Sequence, residues 1–212
     1  MKAVLFDMDG VLLDSEAYIC AAAVEMFSEK GYPVSPNDFK AFTGMGENRY
    51  LGGVAEKYGI PFHLKPDKAR TYEIYARLVR GKLELLPGAR DFIGKCLQKG
   101  LKIALASSAD RIKVEINLKE TGLLPEMFHA LVSGEEVKHK KPAPDIFLRA
   151  ASLLHTPPED CLVVEDAVSG VAAGKAAGCR VLALTTSFPE KELGGADWIV
   201  PDLAHALPLV WP

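Results

Sequence analysis

Asp7 and Asp9 stand two apart at the end of an apolar run, Ala3-Val4-Leu5-Phe6, and Gly10 follows them. On an extended strand, residues two apart point the same way. Both carboxylates would then converge beyond the strand's C-terminal end, where open parallel α/β sheets place their ligands. Two carboxylates held so close are costly unless they share a proton or a cation. Their hard oxygens suit a divalent ion such as magnesium. The same residues also read as a strand followed by an Asp-Gly turn.

Three further stretches carry groups that could join them. Ser107 ends the apolar run 101–106, where a hydroxyl can donate to a phosphate oxygen or cap the following helix. Ser108 is the alternative cap, and its N–H can help bind phosphate. Lys141 closes the basic run Lys138-His139-Lys140-Lys141 and precedes Pro142. Such a run is usually a solvated face. Glu165-Asp166 follows Leu162-Val163-Val164 directly, and acidic residues there can hold an oxygen-liganded metal or favour a helix N-terminus. Neither His/Cys zinc spacing nor a GxGxxG pattern occurs.

These residues need elements to hold them. Residues 2–8 predict a strand apolar enough to be buried on both faces. Segments 15–30, 36–42, 47–58 and 66–81 then predict helices, broken at Gly31, Gly44, Gly46, Gly59 and Pro61. No strand is expected between Asp14 and Lys82. From Pro87 onward helices and strands alternate: helices over 88–99, 110–121, 142–154 and 167–177, strands over 101–106, 130–133, 161–165, 180–185 and 198–200. Such alternation implies a doubly wound parallel α/β sheet, and a helical block after one strand is an insertion into it. Gly170 and Gly174 let the helix over 167–177 pack close to the sheet and need no catalytic role.

The 212 residues are 49% hydrophobic and 25% charged, with a formal net charge of -3, the profile of a soluble globule. That charge gives no reason to expect nucleic acid or a membrane as partner. No apolar run has the length of a membrane span. The N-terminus does not read as a signal peptide. Cys20, Cys96, Cys161 and Cys179 are scattered and read as small buried apolar residues in a reducing compartment, so a cytoplasmic location is expected. Nothing resembles a coiled coil, and a monomer or weak dimer is expected.

Together, DMDGVLLDSE, LASSAD, KKPAPDIF and VVEDAVSG resemble, in order, the four motifs of the haloacid dehalogenase (HAD) superfamily of phosphohydrolases. They span nearly the whole chain. The resemblance is to the subgroup with a helical cap after the first motif, which holds β-phosphoglucomutase-like and sugar-phosphate phosphatase-like proteins. It implies a Rossmann-like core over 1–14 and 85–212, a cap over 15–84, hinges near Asp14 and 83–87, and the strand order 5-4-1-2-3. It makes Asp7 the nucleophile and a metal ligand, and Asp9 the acid/base, whose backbone carbonyl reaches the metal. Backbone N–H groups from Met8 onward, with Ser107 and Ser108, would cradle phosphate. Lys141 would balance the charge of Asp7 and the phosphoryl group. Asp166 would ligate Mg2+, with Glu165 ligating directly or through water.

The second aspartate, absent from relatives that cleave carbon–halogen bonds, implies phosphoryl chemistry. The cap should choose the substrate. Its candidates are Glu16, the stretch Thr43-Gly44-Met45-Gly46-Glu47-Asn48-Arg49 with Arg49 as an anion clamp, and Arg111 on the core. Where β-phosphoglucomutase has a hinge histidine and a cap arginine, spacing puts Ile19 and Glu47. A phosphatase acting on a small phosphorylated metabolite is therefore expected ahead of a phosphomutase. FTGMGE, LGGVA and ASSADRIKV are also similar to HAD modules within larger multidomain proteins, which leaves a non-catalytic regulatory module as a third reading.

Overall fold

Six parallel strands form one sheet in the order β3-β2-β1-β4-β5-β6 in the computed structural model, which describes residues 1–42 and 46–210. They are β1 (Ala3–Phe6), β2 (Lys102–Ala106), β3 (Ala130–Val132), β4 (Cys161–Glu165), β5 (Arg180–Leu184) and β6 (Trp198–Val200). This is the expected order, with β6 added beside β5.

Among the described residues eight α-helices surround or extend the sheet: α1 (Glu16–Glu29), α2 (Glu47–Tyr58), α3 (Leu64–Val79), α4 (Ala89–Gln98), α5 (Arg111–Thr121), α6 (Asp145–Leu153), α7 (Val168–Ala176) and α8 (Leu203–Val210). Alternate strand residues serve opposite layers. Val4, Phe6, Leu105 and Val164 pack with α4, α5 and α8, while Leu5, Ala104, Val163 and Val181 pack with α6 and α7. Burial of both faces explains why β1 is uniformly apolar.

Three local readings are corrected. Residues 36–42 form two 3-10 turns, Pro36–Asp38 and Lys40–Phe42, rather than one helix. Ser35 starts the first by donating its N–H to Asp38 Oδ2 at 2.9 Å. The helix expected from 142 begins at Asp145, because a residue before proline is pushed out of the α region and Pro144 extends that restriction. A helix after the last strand, α8, was not expected. Pro208 reads as a breaker, yet Leu203 and Ala206 are buried against the α4 side.

All of the described residues between β1 and α4 are helical or irregular, apart from isolated bridges at Asp9, Leu13 and Leu85. The block α1–α3 leaves and re-enters the core through adjacent connections. Leu13 forms an antiparallel bridge with Leu85, and the Leu86 N–H donates to the Leu12 carbonyl at 2.8 Å.

Candidate active site

The parallel register sets the site. Phe6 pairs with Leu105 on one side and Val164 on the other. The next residues, Asp7, Ala106 and Glu165, therefore end at one level on three adjacent strands. The ladder runs one step beyond β1, with the Asp7 N–H donating to the Val164 carbonyl at 3.0 Å. Ser107 continues β2 in the same way, donating its N–H to Val132 at 3.0 Å.

Lys141, from the segment between β3 and α6, ties two of these ends together. Its Nζ donates to Asp7 Oδ1 and to Glu165 Oε1, each at 2.5 Å. Its side chain is 6% exposed and lies over the Phe147 ring. Burial works against its charge, but the two carboxylates outweigh it and hold the Lys141 pKa above its ordinary value. Lys140 points elsewhere and donates to the Gly134 carbonyl.

Glu165 is engaged at both oxygens. Oε1 accepts from Lys141, and Oε2 accepts from the N–H groups of Asp166 at 2.8 Å and Ala167 at 3.0 Å. Here it positions Lys141 and the next loop. Gly170 is required beside it, since a Cβ there would lie 1.8 Å from Glu165 Oε1. The close packing expected of Gly170 is thus packing against the Glu165 side chain. Gly10 does the same for Asp166: its φ is +76°, and a Cβ would lie 1.9 Å from Asp166 Oδ2.

Asp9 sits in different surroundings. Its Oδ2 accepts from Lys113 Nζ at 2.9 Å and its Oδ1 accepts from the Ser15 hydroxyl. Neither partner was foreseen. The signal for Lys113 lay in α5 itself: Val114, Leu118 and Thr121 mark its buried face, and helical spacing puts Lys113 and Asn117 on that face.

Asp7, Asp9, Ser107, Ser108, Lys141, Glu165 and Asp166 all border one cavity of about 700 Å³. Glu16, Ile19, Gly46, Glu47 and Tyr50 border it from the helical block. Met8 contributes no side chain there, being fully buried with its sulfur facing Asn117 Nδ2 at 3.2 Å. Ser108 does not cap α5, whose N-cap is Asp110; the Ser107 hydroxyl instead accepts from the Ala109 N–H at 3.2 Å.

Arg49 and Arg111 lie outside the cavity lining. Arg49 pairs with Glu56 at 2.6 Å and lies over Phe42. Arg111 pairs with Glu136 at 2.5 Å and donates to the Leu131 carbonyl at 2.9 Å, bracing the loop after β3. In this structure the expected clamps thus stand off the cavity, each with an intramolecular partner. Thr43, Gly44 and Met45 lie outside the described residues.

The carboxylates are poised for a cation. Burial, with Glu165 and Asp9 adding to it, pushes the Asp7 carboxyl up to about 7 against the pull of Lys141. Burial, then Glu165 and Asp7, pushes Asp166 up to about 8. Among the described residues no three His, Cys, Asp or Glu side chains close around a single point. Magnesium does not need three: it is commonly held by one or two carboxylates, with water and substrate phosphate completing the octahedron. Asp7 and Asp166 fit that pattern.

A family model for haloacid dehalogenase-like hydrolases matches residues 1–178. The chain belongs to this family. Its relatives include Protein SUPPRESSOR OF QUENCHING 1, chloroplastic, of Arabidopsis thaliana, 46% identical over 210 residues. That match covers 97% of this chain but 20% of the plant protein, so the chain spans about a fifth of it. The Phosphorylated carbohydrates phosphatase of Thermotoga maritima is 34% identical over 178 residues, covering 84% of this chain and 82% of that one. A solved structure of a CbbY variant from Rhodobacter sphaeroides in complex with xylulose-(1,5)bisphosphate superposes with a TM-score of 0.87 at 25% identity. It covers 96% of this chain and 95% of its own. In this chain the cavity lies between the C-terminal strand ends and the helical block α1–α3. Among the described residues no helix is long and apolar enough to cross a membrane.

Proposed function

We propose that this HAD hydrolase is a magnesium-dependent phosphatase that hydrolyses a small phosphorylated metabolite, a sugar phosphate, through an aspartyl-phosphate on Asp7. The observation that carries the reading is the split between its two aspartates. Asp7 is buried and locked to Lys141 at the strand ends, whereas Asp9 is held on the cap side by Lys113 and Ser15. Two carboxyl groups in one site with separate partners are suited to separate tasks.

Asp7 would attack phosphorus, splitting the hydrolysis into two displacements. Lys141 offsets the negative charge that gathers there. Asp9 would protonate the leaving oxygen and then take the proton of the attacking water. Ser107, Ser108 and the N–H groups following Asp7 would receive phosphate oxygens. Bound by Asp7, Asp166 and the Asp9 carbonyl, Mg2+ would neutralise the phosphate dianion. Glu165 would ligate it directly or through water.

The phosphoric monoester is the substrate class shared by the named phosphatase and by CbbY's bisphosphate ligand. A phosphomutase reading finds less support, because Ile19 and Glu47 border the cavity where that activity would need basic groups. The regulatory-module reading gains from the plant relative's much greater length. Against it, Asp7, Asp9, Ser107, Lys141 and Asp166 all remain at one cavity. The four cysteines are free, in keeping with a reducing compartment, and we place the chain in the cytoplasm on that ground.

The test is phosphate release from a panel of phosphorylated metabolites with Mg2+, using Asp7→Asn as control. Release by the native chain, lost in the variant, is expected. Equal release by both would overturn the assignment of Asp7.

A further inference from the structure

We infer that Thr186 and Ser187, on the loop that follows β5, are positioning residues for the metal site. Ser187 orients the Asp166 carboxylate, and Thr186 fixes the turn that carries the Asp9 carbonyl. This rests on the phosphatase reading, whose Mg2+ it concerns, and it assigns a role to a stretch that lies outside the four motifs.

β4 lies between β1 and β5 in the sheet. Ala183 pairs with Glu165, so β5 is level with β4 where the Asp166 loop begins. β5 then runs past that level, and the Thr185 N–H donates to the Val200 carbonyl at 2.9 Å. The next two residues reach across the end of β4. The Thr186 hydroxyl donates to the carbonyl of Gly10, the residue after Asp9. The Ser187 hydroxyl bonds to the Asp166 carboxylate. Gly10 shows how closely these parts meet. A Cβ there would lie 1.9 Å from Asp166 Oδ2 and 2.9 Å from Ser187 Oγ. Ser187 and Asp166 both border the cavity, with Asp166 buried and Ser187 on its open side.

Serine and threonine hydroxyls in loops commonly bond to backbone a few residues away. These two do not: Thr186 and Gly10 are 176 residues apart in sequence. What the contacts join is the two sides of the metal site, the turn after β1 and the loop after β4. Mg2+ tolerates little departure from octahedral geometry, so a ligand must present its oxygen in a fixed direction. Ligating carboxylates are for that reason held by further hydrogen bonds, and losing such a partner typically costs 10–100-fold in metal affinity. Asp7 has Lys141 as its partner. Asp166 has Ser187. A hydroxyl donates one proton and brings no positive charge. It can therefore orient Asp166 without offsetting the negative charge that attracts the cation. In sequence the signal is the hydroxyl run Thr185-Thr186-Ser187 directly after an apolar strand.

The experiment measures binding of Mn2+, a divalent ion with the same preference for oxygen ligands, from the electron paramagnetic resonance signal of the free ion. The variants are Ser187→Ala, Ser187→Thr and Thr186→Val, each checked by thermal melting without metal. Ser187→Ala should bind Mn2+ about tenfold more weakly or worse, and Thr186→Val about threefold more weakly. Ser187→Thr, which restores the hydroxyl, should stay within about threefold of the native chain. Phosphate release at rising Mg2+ gives a second readout. Ser187→Ala should need about tenfold more Mg2+ for half its maximal rate, yet reach a kcat within about threefold of native.

Mn2+ binding by Ser187→Ala equal to that of the native chain would overturn the inference and leave the phosphatase reading standing. So would equal weakening in Ser187→Thr and Ser187→Ala, since the hydroxyl would then not be what matters. A native chain that binds no Mn2+ would overturn both the inference and the metal dependence on which it rests.

Discussion

Asp7 and Asp9 are chemically identical, and their neighbours make them different. Lys141 and Glu165 surround the first, and Lys113 and Ser15 the second. The pair itself was legible, because an apolar strand running into Asp-x-Asp-Gly is a local pattern. Lys141 was legible only through the family motif, since a lysine in a basic run normally faces solvent. Lys113 was hidden because its neighbour Ile112 is exposed and Lys113 is buried, the reverse of what residue types suggest. Gly170 gives the sharpest test at this scale. Gly170→Ala must displace the Glu165 carboxylate or push α7 away, and Lys141 is anchored to that carboxylate. Turnover should fall about tenfold or more with little change in KM, measured by steady-state phosphate release. The matched substitution Gly94→Ala, whose Cβ would meet nothing within 4 Å, should leave turnover unchanged. Full activity in Gly170→Ala would mean that the Glu165–Lys141 contact does not matter to the reaction.

Helix α5 joins the two halves of the site. Its Lys113 holds Asp9, while Asp110 and Asn117 meet the cap helix α3. Lys68 pairs with Asp110 at 2.6 Å, and the Tyr75 hydroxyl donates to Asn117 Oδ1. Tyr75 and Asn117 are both fully buried. Tyr75→Phe keeps the ring and leaves the Asn117 oxygen short of a donor, a loss of about 1–3 kcal/mol. Chemical denaturation should show that loss, and the cap–core contact should loosen. A stability equal to the native chain's would show that Asn117 finds another donor. Helices with clear ends, such as α2 and α5, were read closely because glycine follows each in a left-handed conformation. Residues 36–42 were misjudged because two successive 3-10 turns mimic the composition of a short helix. The helix at the end of the chain was missed because the burial of Leu203 and Ala206 depends on α4, remote in sequence.

For the molecule as a whole, the carboxylates at the sheet's end set a coupling between metal, protons and stability. Asp7 and Asp166 are raised to about 7 and about 8 in the folded chain from an ordinary value of 3.8. Folded, they keep protons that the unfolded chain releases from about pH 4 upward. Their contribution without metal therefore becomes less favourable as pH rises from about 4 to 8. Mg2+ binds the deprotonated form and reverses this. The rise in Tm on adding Mg2+ should then be larger at pH 8.5 than at pH 5.5, read by differential scanning fluorimetry with a Mg2+-free control at each pH. Equal rises at both would remove these aspartates from the metal site. The helical insertion was legible at this scale because alternation and its interruption are global features of the pattern, whereas strand order came only from the family resemblance. The cavity's charge balance was not, since it depends on which acidic residues turn inward. The paired connections at Leu12–Leu13 and Leu85–Leu86 carry one more consequence. A segment that departs and returns through neighbouring strands leaves its host almost no gap to close when it is removed. The helical block is in that sense an exchangeable attachment: lineages could lengthen it, replace it or reshape its lining while the sheet kept the same four chemical stations, and new substrates could be acquired without reinventing the reaction.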